Sequence, residues 1–373
     1  MDLARRRGPG ARILIMAPAA VLLVLGLYAG LLLVGLPLPT LLDRLAELHA
    51  PVLVFGFIGT LIALERAVAL GTPRWFLAPA LLAAGTILAL TSVPLLAGTA
   101  LITAGLAVHA LQYAAIWRRQ AMTATAVQAL GAITATAAGL AWCGGTPPSR
   151  LVPLLSCFLI LTIAGERLEL ARLNAPGLVA ERLLFGLGLG LATSAVLSLT
   201  APEVAVPAAG AVLLGLVGWL LRYDVARVTV RTQGLPRYVA ICLLSGYVWL
   251  GVAGAGWILG GARTGGAVYD ATTHAIFLGF VMTMIMAHAP VILPAVLRVR
   301  LPYHPTLFVP VALLHVTLLL RVVAGDAWGM IVALRAGGAG ATIAIVLFFA
   351  TAAVLAIRAG ATESEERAQH VPA

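Results

Sequence analysis

Residues 49–66 of the chain read HAPVLVFGFIGTLIALER, and residues 274–290 read HAIFLGFVMTMIMAHAP. Each stretch begins with His-Ala and continues into an apolar run that is long enough to cross a bilayer as a helix. A metal-capable imidazole is costly in hydrocarbon, so two of them at matching positions of separate helices indicate a shared ligand. We therefore expect His49 and His274 to hold a haem or a metal between two membrane helices.

The composition places the chain in a membrane. Of its 373 residues 61% are hydrophobic and 10% are charged, and the mean hydropathy is +1.04. No water-soluble core could bury that much apolar surface. The apolar runs predict an all-α polytopic bundle of twelve transmembrane helices that contacts the lipid bilayer. The predicted spans are 13–36, 49–70, 75–95, 97–117, 122–142, 150–171, 181–200, 204–222, 237–260, 272–296, 304–324 and 328–357.

The arginines predict the orientation of the bundle. All 24 basic residues are Arg, and most lie before span one or after spans two, four, six, eight and ten. The opposite connections carry only scattered basic residues such as Arg44, Arg150 and Arg263. The positive-inside rule then puts both termini on the cytoplasmic side of a bacterial cytoplasmic membrane. The net charge of +10 is read as a topology signal and lipid contact, not as nucleic-acid binding.

The sequences of spans two, six and ten can be aligned with one another, which indicates an internal repeat. Phe57, Phe158 and Phe280 fall into register. The positions eight residues after these phenylalanines are Glu65, Glu166 and His288. The spacing of four spans predicts one pseudo-threefold transmembrane domain over residues 1–358. Its three four-helix arcs would cover roughly 1–120, 121–235 and 236–358, followed by a polar cytoplasmic tail at 359–373.

Two of these segments resemble the NnrS family. HAPVLVFGF is similar to the HAHEMLFGF segment of NnrS proteins, and HAIFLGFVMTM is similar to their HAL..GA.GTM stretch. NnrS proteins are twelve-span bacterial membrane proteins linked to nitric oxide metabolism, reported to contain haem and copper. They are distantly similar to the catalytic subunit of haem-copper oxidases. The specific matches are confined to spans two and ten, and Pro51 stands where the family has a second His, which weakens a second metal site near the outer surface.

The resemblance implies a role for the two histidines. In haem-copper oxidases a low-spin haem lies between a His on helix two and a His on helix ten, and His49 and His274 fit those positions. A haem b with two axial imidazoles has no free coordination site, so it would transfer or store electrons. The alternative interpretation is that both rings lie at the membrane interface next to water and lipid headgroups.

Three further histidines predict a second site. His288 follows His274 by 14 residues, which is about 21 Å along one helix and close to a whole number of turns. His109 in span four and His315 in span eleven fall at comparable depth. Together they are candidates for a second haem or for copper. The alternative is that each ring hydrogen-bonds a neighbouring helix.

Other residues bear on catalysis and proton transfer. The resemblance to haem-copper oxidases implies further His ligands on helices six and seven in the members that reduce oxygen or nitric oxide. Spans six and seven here contain no His, so reductase turnover at a binuclear haem-copper centre is disfavoured and enzymatic activity is left open. Glu65 and Glu166 lie near the predicted cytoplasmic ends, where they serve either a proton path or ion pairs with Arg. Tyr269, Asp270 and Thr273 precede His274 and are expected to orient its imidazole.

Three classes of function follow from the sequence. The first is a haem-binding membrane protein of the NnrS-like group, acting in nitric oxide or respiratory stress or in membrane electron transfer. Its expected partners are a redox protein or a quinone, and nitric oxide. The second is a secondary transporter, since internal repeats and buried carboxylates are also found there. The third is a non-catalytic membrane partner or assembly factor of a respiratory complex.

Overall fold

A computed structural model describes residues 9–171, 177–297 and 300–369 of the chain. These residues form twelve apolar helices and contain no β-strand. The helices are α1 Pro9–Leu33, α2 His49–Leu70, α3 Pro73–Ala89, α4 Leu95–Arg119, α5 Thr123–Cys143, α6 Pro148–Ala171, α7 Gly177–Leu197, α8 Pro202–Tyr223, α9 Leu235–Gly260, α10 at 267–297, α11 Pro305–Ala327 and α12 Ile331–Gln369. A short helix, Ala226–Thr229, lies between α8 and α9.

The helices make the chain a multi-pass membrane protein. Within the described ranges, eleven of them are long and apolar enough to cross a bilayer, and only α3 falls short of that length. The prediction of an all-helical membrane bundle is confirmed. The last helix continues to Gln369, so most of the polar tail predicted at 359–373 extends α12, while residues 370–373 lie outside the described residues.

Helix α6 is the central element of the bundle. In its apolar window 89% of the residues are buried, against 28% in α12. A helix that is apolar all round is stable only when other helices cover it, as α6 is. Glycine allows the closest of these contacts, because a Cβ atom on Gly131 of α5 would lie 2.8 Å from the carbonyl oxygen of Phe158.

Three helices contain an eight-residue π-helical segment in which the backbone hydrogen bonds span five residues. The segments are Val52–Gly59 in α2, Ala275–Met282 in α10 and Leu320–Ala327 in α11. π-Helical turns are rare and occur often at functional sites. The first begins just after His49, the second directly after His274, and the third contains Arg321 and Asp326.

The first two π segments occupy equivalent positions of the repeat predicted from the sequence. Alignment of Phe57 with Phe280 superposes Val52–Gly59 on Ala275–Met282. It also superposes Thr60 on Thr283, and each hydroxyl donates to a carbonyl five residues earlier, at 3.3 Å in α2 and 3.4 Å in α10. In α6 the helix is regular instead, and the hydroxyl of Thr162 donates to the carbonyl four residues earlier.

The bundle has two chemically different ends. At the end that carries His49 and His274, which we call the histidine end, Arg44 donates to the carbonyls of Thr91 and Val93 and so joins two connections. At the opposite end, which we call the arginine end, Arg119 donates to the carbonyl of Leu70 and joins the ends of α2 and α4. The described arginines at this second end include Arg66, Arg74, Arg118, Arg119, Arg167, Arg182, Arg222, Arg227, Arg231, Arg237, Arg300 and Arg358.

Candidate cofactor site

His49 is the first residue of α2, and its ring packs against α1. The Nδ1 atom lies 2.8 Å from the carbonyl oxygen of Gly26. One turn later, a Cβ atom on Gly30 would lie 3.0 Å from Cε1 of the ring. The absence of a side chain at Gly30 therefore makes room for the imidazole, and the Gly26 carbonyl fixes its orientation.

His274 ends the first α-helical segment of α10, and Asp270 of the preceding turn holds its ring. The Nδ1 atom lies 2.8 Å from the Asp270 carbonyl oxygen and 3.3 Å from its carboxylate oxygen Oδ1. Of the three residues expected to orient this imidazole, Asp270 makes the contact. The His274 side chain remains 19% exposed, so its ring reaches accessible space.

The hydrogen bonds determine which nitrogen of each ring is available. A carbonyl oxygen only accepts, so Nδ1 must carry the proton in both His49 and His274. In the neutral ring the lone pair is then on Nε2, since the hydrogen bonds that both rings make to described residues use Nδ1. An imidazole whose Nδ1–H is bonded to a carbonyl and whose Nε2 is open is the usual arrangement of a metal-ligating histidine.

The two rings belong to one electrostatic site. His274, Asp270 and Arg321 are ionisable groups in the neighbourhood of the His49 ring. Arg321 of α11 donates from Nε and Nη2 to the two carboxylate oxygens of Asp270, both at 2.7 Å. A second carboxylate, Asp326, faces Asp270 and Arg321. Helices α1, α2, α10 and α11 thus bring two imidazoles, two carboxylates and one guanidinium together.

Arg321 and Asp326 were not among the residues predicted for the site, although their charges within an apolar span could have indicated them. They are the charged residues of the otherwise apolar stretch LLLRVVAGDAW, and an ionisable residue inside a membrane span is by default a functional candidate. Arg321 is only 6% exposed. It lies against α12, where a Cβ atom on Gly337 or Gly338 would approach its side chain to 2.7 or 2.8 Å.

The remaining candidate histidines have hydrogen-bond partners that they share neither with this site nor with one another. On α4, His109 Nδ1 bonds Gln112 Oε1 at 2.7 Å, and the ring packs on Phe158. On α10, His288 Nδ1 bonds the Met284 carbonyl at 2.7 Å. These separate neighbours do not place the rings of His109, His288 and His315 around one point, and no group of three or more His, Cys, Asp or Glu that could hold a metal occurs in the described ranges.

His315 differs from the others in its tautomer. Trp249 Nε1–H donates to its Nδ1 at 3.0 Å, so the proton of the neutral ring is on Nε2. In this arrangement Nε2 of His315 is a donor. Nε2 of His109, of His288 and of His315 is buried without a hydrogen-bond partner among the described residues.

The two glutamates form part of an ion-pair network. Arg66 lies 3.2 Å from Glu65 and 2.8 Å from Glu166, so it joins α2 to α6. Arg167 does not pair with its neighbour Glu166. Its Nη1 instead lies 3.9 Å from Asp224, and both side chains are 2% exposed.

The family model for DUF8744, a domain of unknown function, matches residues 12–357. The chain belongs to this family. No curated protein and no solved structure matches it. Because the match extends from α1 into α12, the DUF8744 domain includes all twelve helices and both histidines of the candidate site.

The donor set of this DUF8744 chain suits one class of metal group best. A bare zinc or copper ion usually requires three or four protein ligands, whereas a haem brings four nitrogen ligands of its own and needs two axial ones. His49 and His274 supply two lone pairs, and the nearest carboxylate, Asp270, is already paired with Arg321. The residues present therefore fit a haem.

Proposed function

We propose that this DUF8744 protein binds a haem b with His49 and His274 as axial ligands, and that it carries electrons in a bacterial cytoplasmic membrane. One observation carries the proposal. Two imidazoles from distant parts of the chain have the same charged residues nearby, Asp270 and Arg321, and each ring is hydrogen-bonded through Nδ1 to a carbonyl, which leaves the lone pair of the neutral ring on Nε2.

The chain's own residues would hold and tune the group. A bis-imidazole haem supplies reversible one-electron transfer. The Gly26 carbonyl and the Asp270 carbonyl keep the proton on Nδ1 and make the rings stronger ligands. Arg321 neutralises Asp270, so the carboxylate can accept from His274 without leaving an unpaired charge in the membrane.

Further observations support the wider proposal. The matching π segments of α2 and α10 support a repeat that relates the two histidine helices. The shared register of Phe57, Phe158 and Phe280 supports the pseudo-threefold arrangement similar to haem-copper oxidases. The segments HAPVLVFGF and HAIFLGFVMTM support an NnrS-like role in nitric oxide or respiratory stress. The arginine end supports cytoplasmic termini. A redox protein or quinone would exchange electrons with the haem. The other candidate histidines would bind a second haem or copper.

The absorption spectrum of the purified protein tests the proposal. We expect a Soret band, with sharp α and β bands after reduction, and about one haem per chain by pyridine haemochrome analysis. His49→Ala and His274→Ala should each lose these bands, because one imidazole cannot replace the pair.

His288→Ala is the matched control. It lies on the same helix as His274 and bonds the carbonyl four residues earlier in the same way, but at the arginine end. It should retain the haem of the His49–His274 site. A colourless wild-type protein, or full spectra in both His49→Ala and His274→Ala, would contradict the proposal and favour the transporter or assembly-factor interpretation.

A further inference from the structure

A groove opens on the outer surface of the bundle at the arginine end, between α3 and α4. Its volume is about 510 Å³. It is lined by Arg74, Trp75, Val108, Leu111, Ala114, Ala115, Arg118 and Arg119. The groove is far from the histidine end and does not belong to the proposed haem site.

The mouth of the groove is strongly basic. Three of its lining residues are Arg, and none is acidic. Arg119 is engaged with the Leu70 carbonyl, and Arg74 lies over its neighbour Trp75, with Cζ 4.9 Å from the ring centroid. No described residue hydrogen-bonds the guanidinium of Arg118. Two guanidinium groups are therefore available to an anion.

The wall of the groove is apolar and exposed. Val108, Leu111 and Ala115 follow one another on one face of α4, and the Leu111 side chain is 58% exposed. Ala114 and Ala115 are small, which creates the concavity. The adjoining face of α4 fixes the position of α3, since buried Gln112 donates to the Trp75 carbonyl at 3.0 Å.

We propose that this groove is a binding site for an anionic phospholipid. The phosphate would lie between Arg74 and Arg118, and an acyl chain would follow the apolar face of α4 toward the membrane centre. A basic mouth joined to an apolar, lipid-facing wall is complementary to both parts of such a lipid, and basic pockets at the ends of membrane helices are known to select anionic headgroups. A soluble anion would use only the mouth.

Native mass spectrometry of the detergent-solubilised protein with added phosphatidylglycerol tests the site. We expect one retained copy per chain and an apparent Kd at least tenfold lower than for phosphatidylcholine. The double variant Arg74→Gln/Arg118→Gln should lose this preference. Neither side chain hydrogen-bonds another described residue, so the variant should fold, which its melting temperature in the absence of lipid checks.

The matched control is Arg227→Gln/Arg231→Gln, which removes the same charge from exposed positions at the same end. It should bind phosphatidylglycerol like the wild type. Equal loss in both double variants would mean diffuse attraction and would overturn the site. Equal retention of phosphatidylcholine would also overturn the site. Competition by inorganic phosphate alone at matched concentration would overturn it as well, because it would show that the apolar wall does not contribute to binding.

Discussion

The two imidazoles at the histidine end depend on different partners, and this difference determines how substitutions act. His49 is held from outside its helix, by the Gly26 carbonyl of α1. His274 is held from within its own helix, by Asp270, and Asp270 is held in turn by Arg321. A substitution of Arg321 therefore affects His274 through the side chain of Asp270.

Arg321→Met should destabilise the protein by about 3–5 kcal/mol, because it leaves the Asp270 carboxylate unpaired inside the membrane. Thermal or denaturant unfolding in detergent measures the change. The control is Arg335→Met, which removes a single bond to the Val34 carbonyl at an exposed position and should cost much less. Equal losses in the two variants would contradict a paired, buried Arg321.

Asp270→Asn tests the contact to His274 separately. The backbone carbonyl that accepts from Nδ1 remains, but the carboxylate that supports it is lost. We expect haem retention to fall by about 10–100-fold, as is typical when a partner of a ligating histidine is removed. Titration of the apoprotein with haemin measures it, with the exposed Asp43→Asn as control. An unchanged affinity would mean that Asp270 does not support the ligand.

At the scale of whole helices, the π segments are the feature that hydropathy did not predict. The boundaries of α2 were predicted as 49–70, as observed, because apolar length is a local property of the sequence. Whether a carbonyl bonds four or five residues ahead depends on packing against other helices, and the residue pattern of a π segment is as apolar as that of an α-helix. The alignment of Phe57 with Phe280 nevertheless placed the two segments at equivalent positions, although it did not predict that they are π-helical.

Thr60→Val and Thr283→Val should each destabilise the protein by about 1 kcal/mol, the usual net contribution of one hydrogen bond. Because each hydroxyl caps a π segment that follows a candidate ligand, each substitution should also shift the reduction potential of the proposed haem. Thr162→Val, in regular α6, should have a similar effect on stability and leave the potential unchanged. Equal reduction potentials in all three variants would show that the π segments do not influence the proposed haem site.

At the scale of the molecule, the sequence predicted which segments cross the membrane but not which polar residues meet. The alternation of apolar and Arg-rich segments is readable along the chain. The pairing of Arg167 with Asp224, or of Arg66 with Glu166, joins residues far apart in sequence and exists only once the helices pack. For the same reason, the position of Arg321 within a span marks it as a functional candidate, whereas its pairing with Asp270 is visible only in the packed helices.

The charge asymmetry gives a prediction for topology. If the arginine end is cytoplasmic, green fluorescent protein fused after Gln120 should fluoresce, and alkaline phosphatase fused after Thr146 should be active. As controls, the two reporters are exchanged between these positions. Green fluorescent protein after Thr146 should then not fluoresce, and alkaline phosphatase after Gln120 should be inactive. The reverse pattern would place the histidine end in the cytoplasm.

The electron paramagnetic resonance spectrum of the oxidised protein identifies the ligands of a bound haem and so tests whether His49 and His274 hold it. We expect a low-spin ferric signal typical of two imidazoles, converted to a high-spin signal or lost in both His49→Ala and His274→Ala. A wild-type protein without this signal, or one whose signal survives both substitutions, would contradict it.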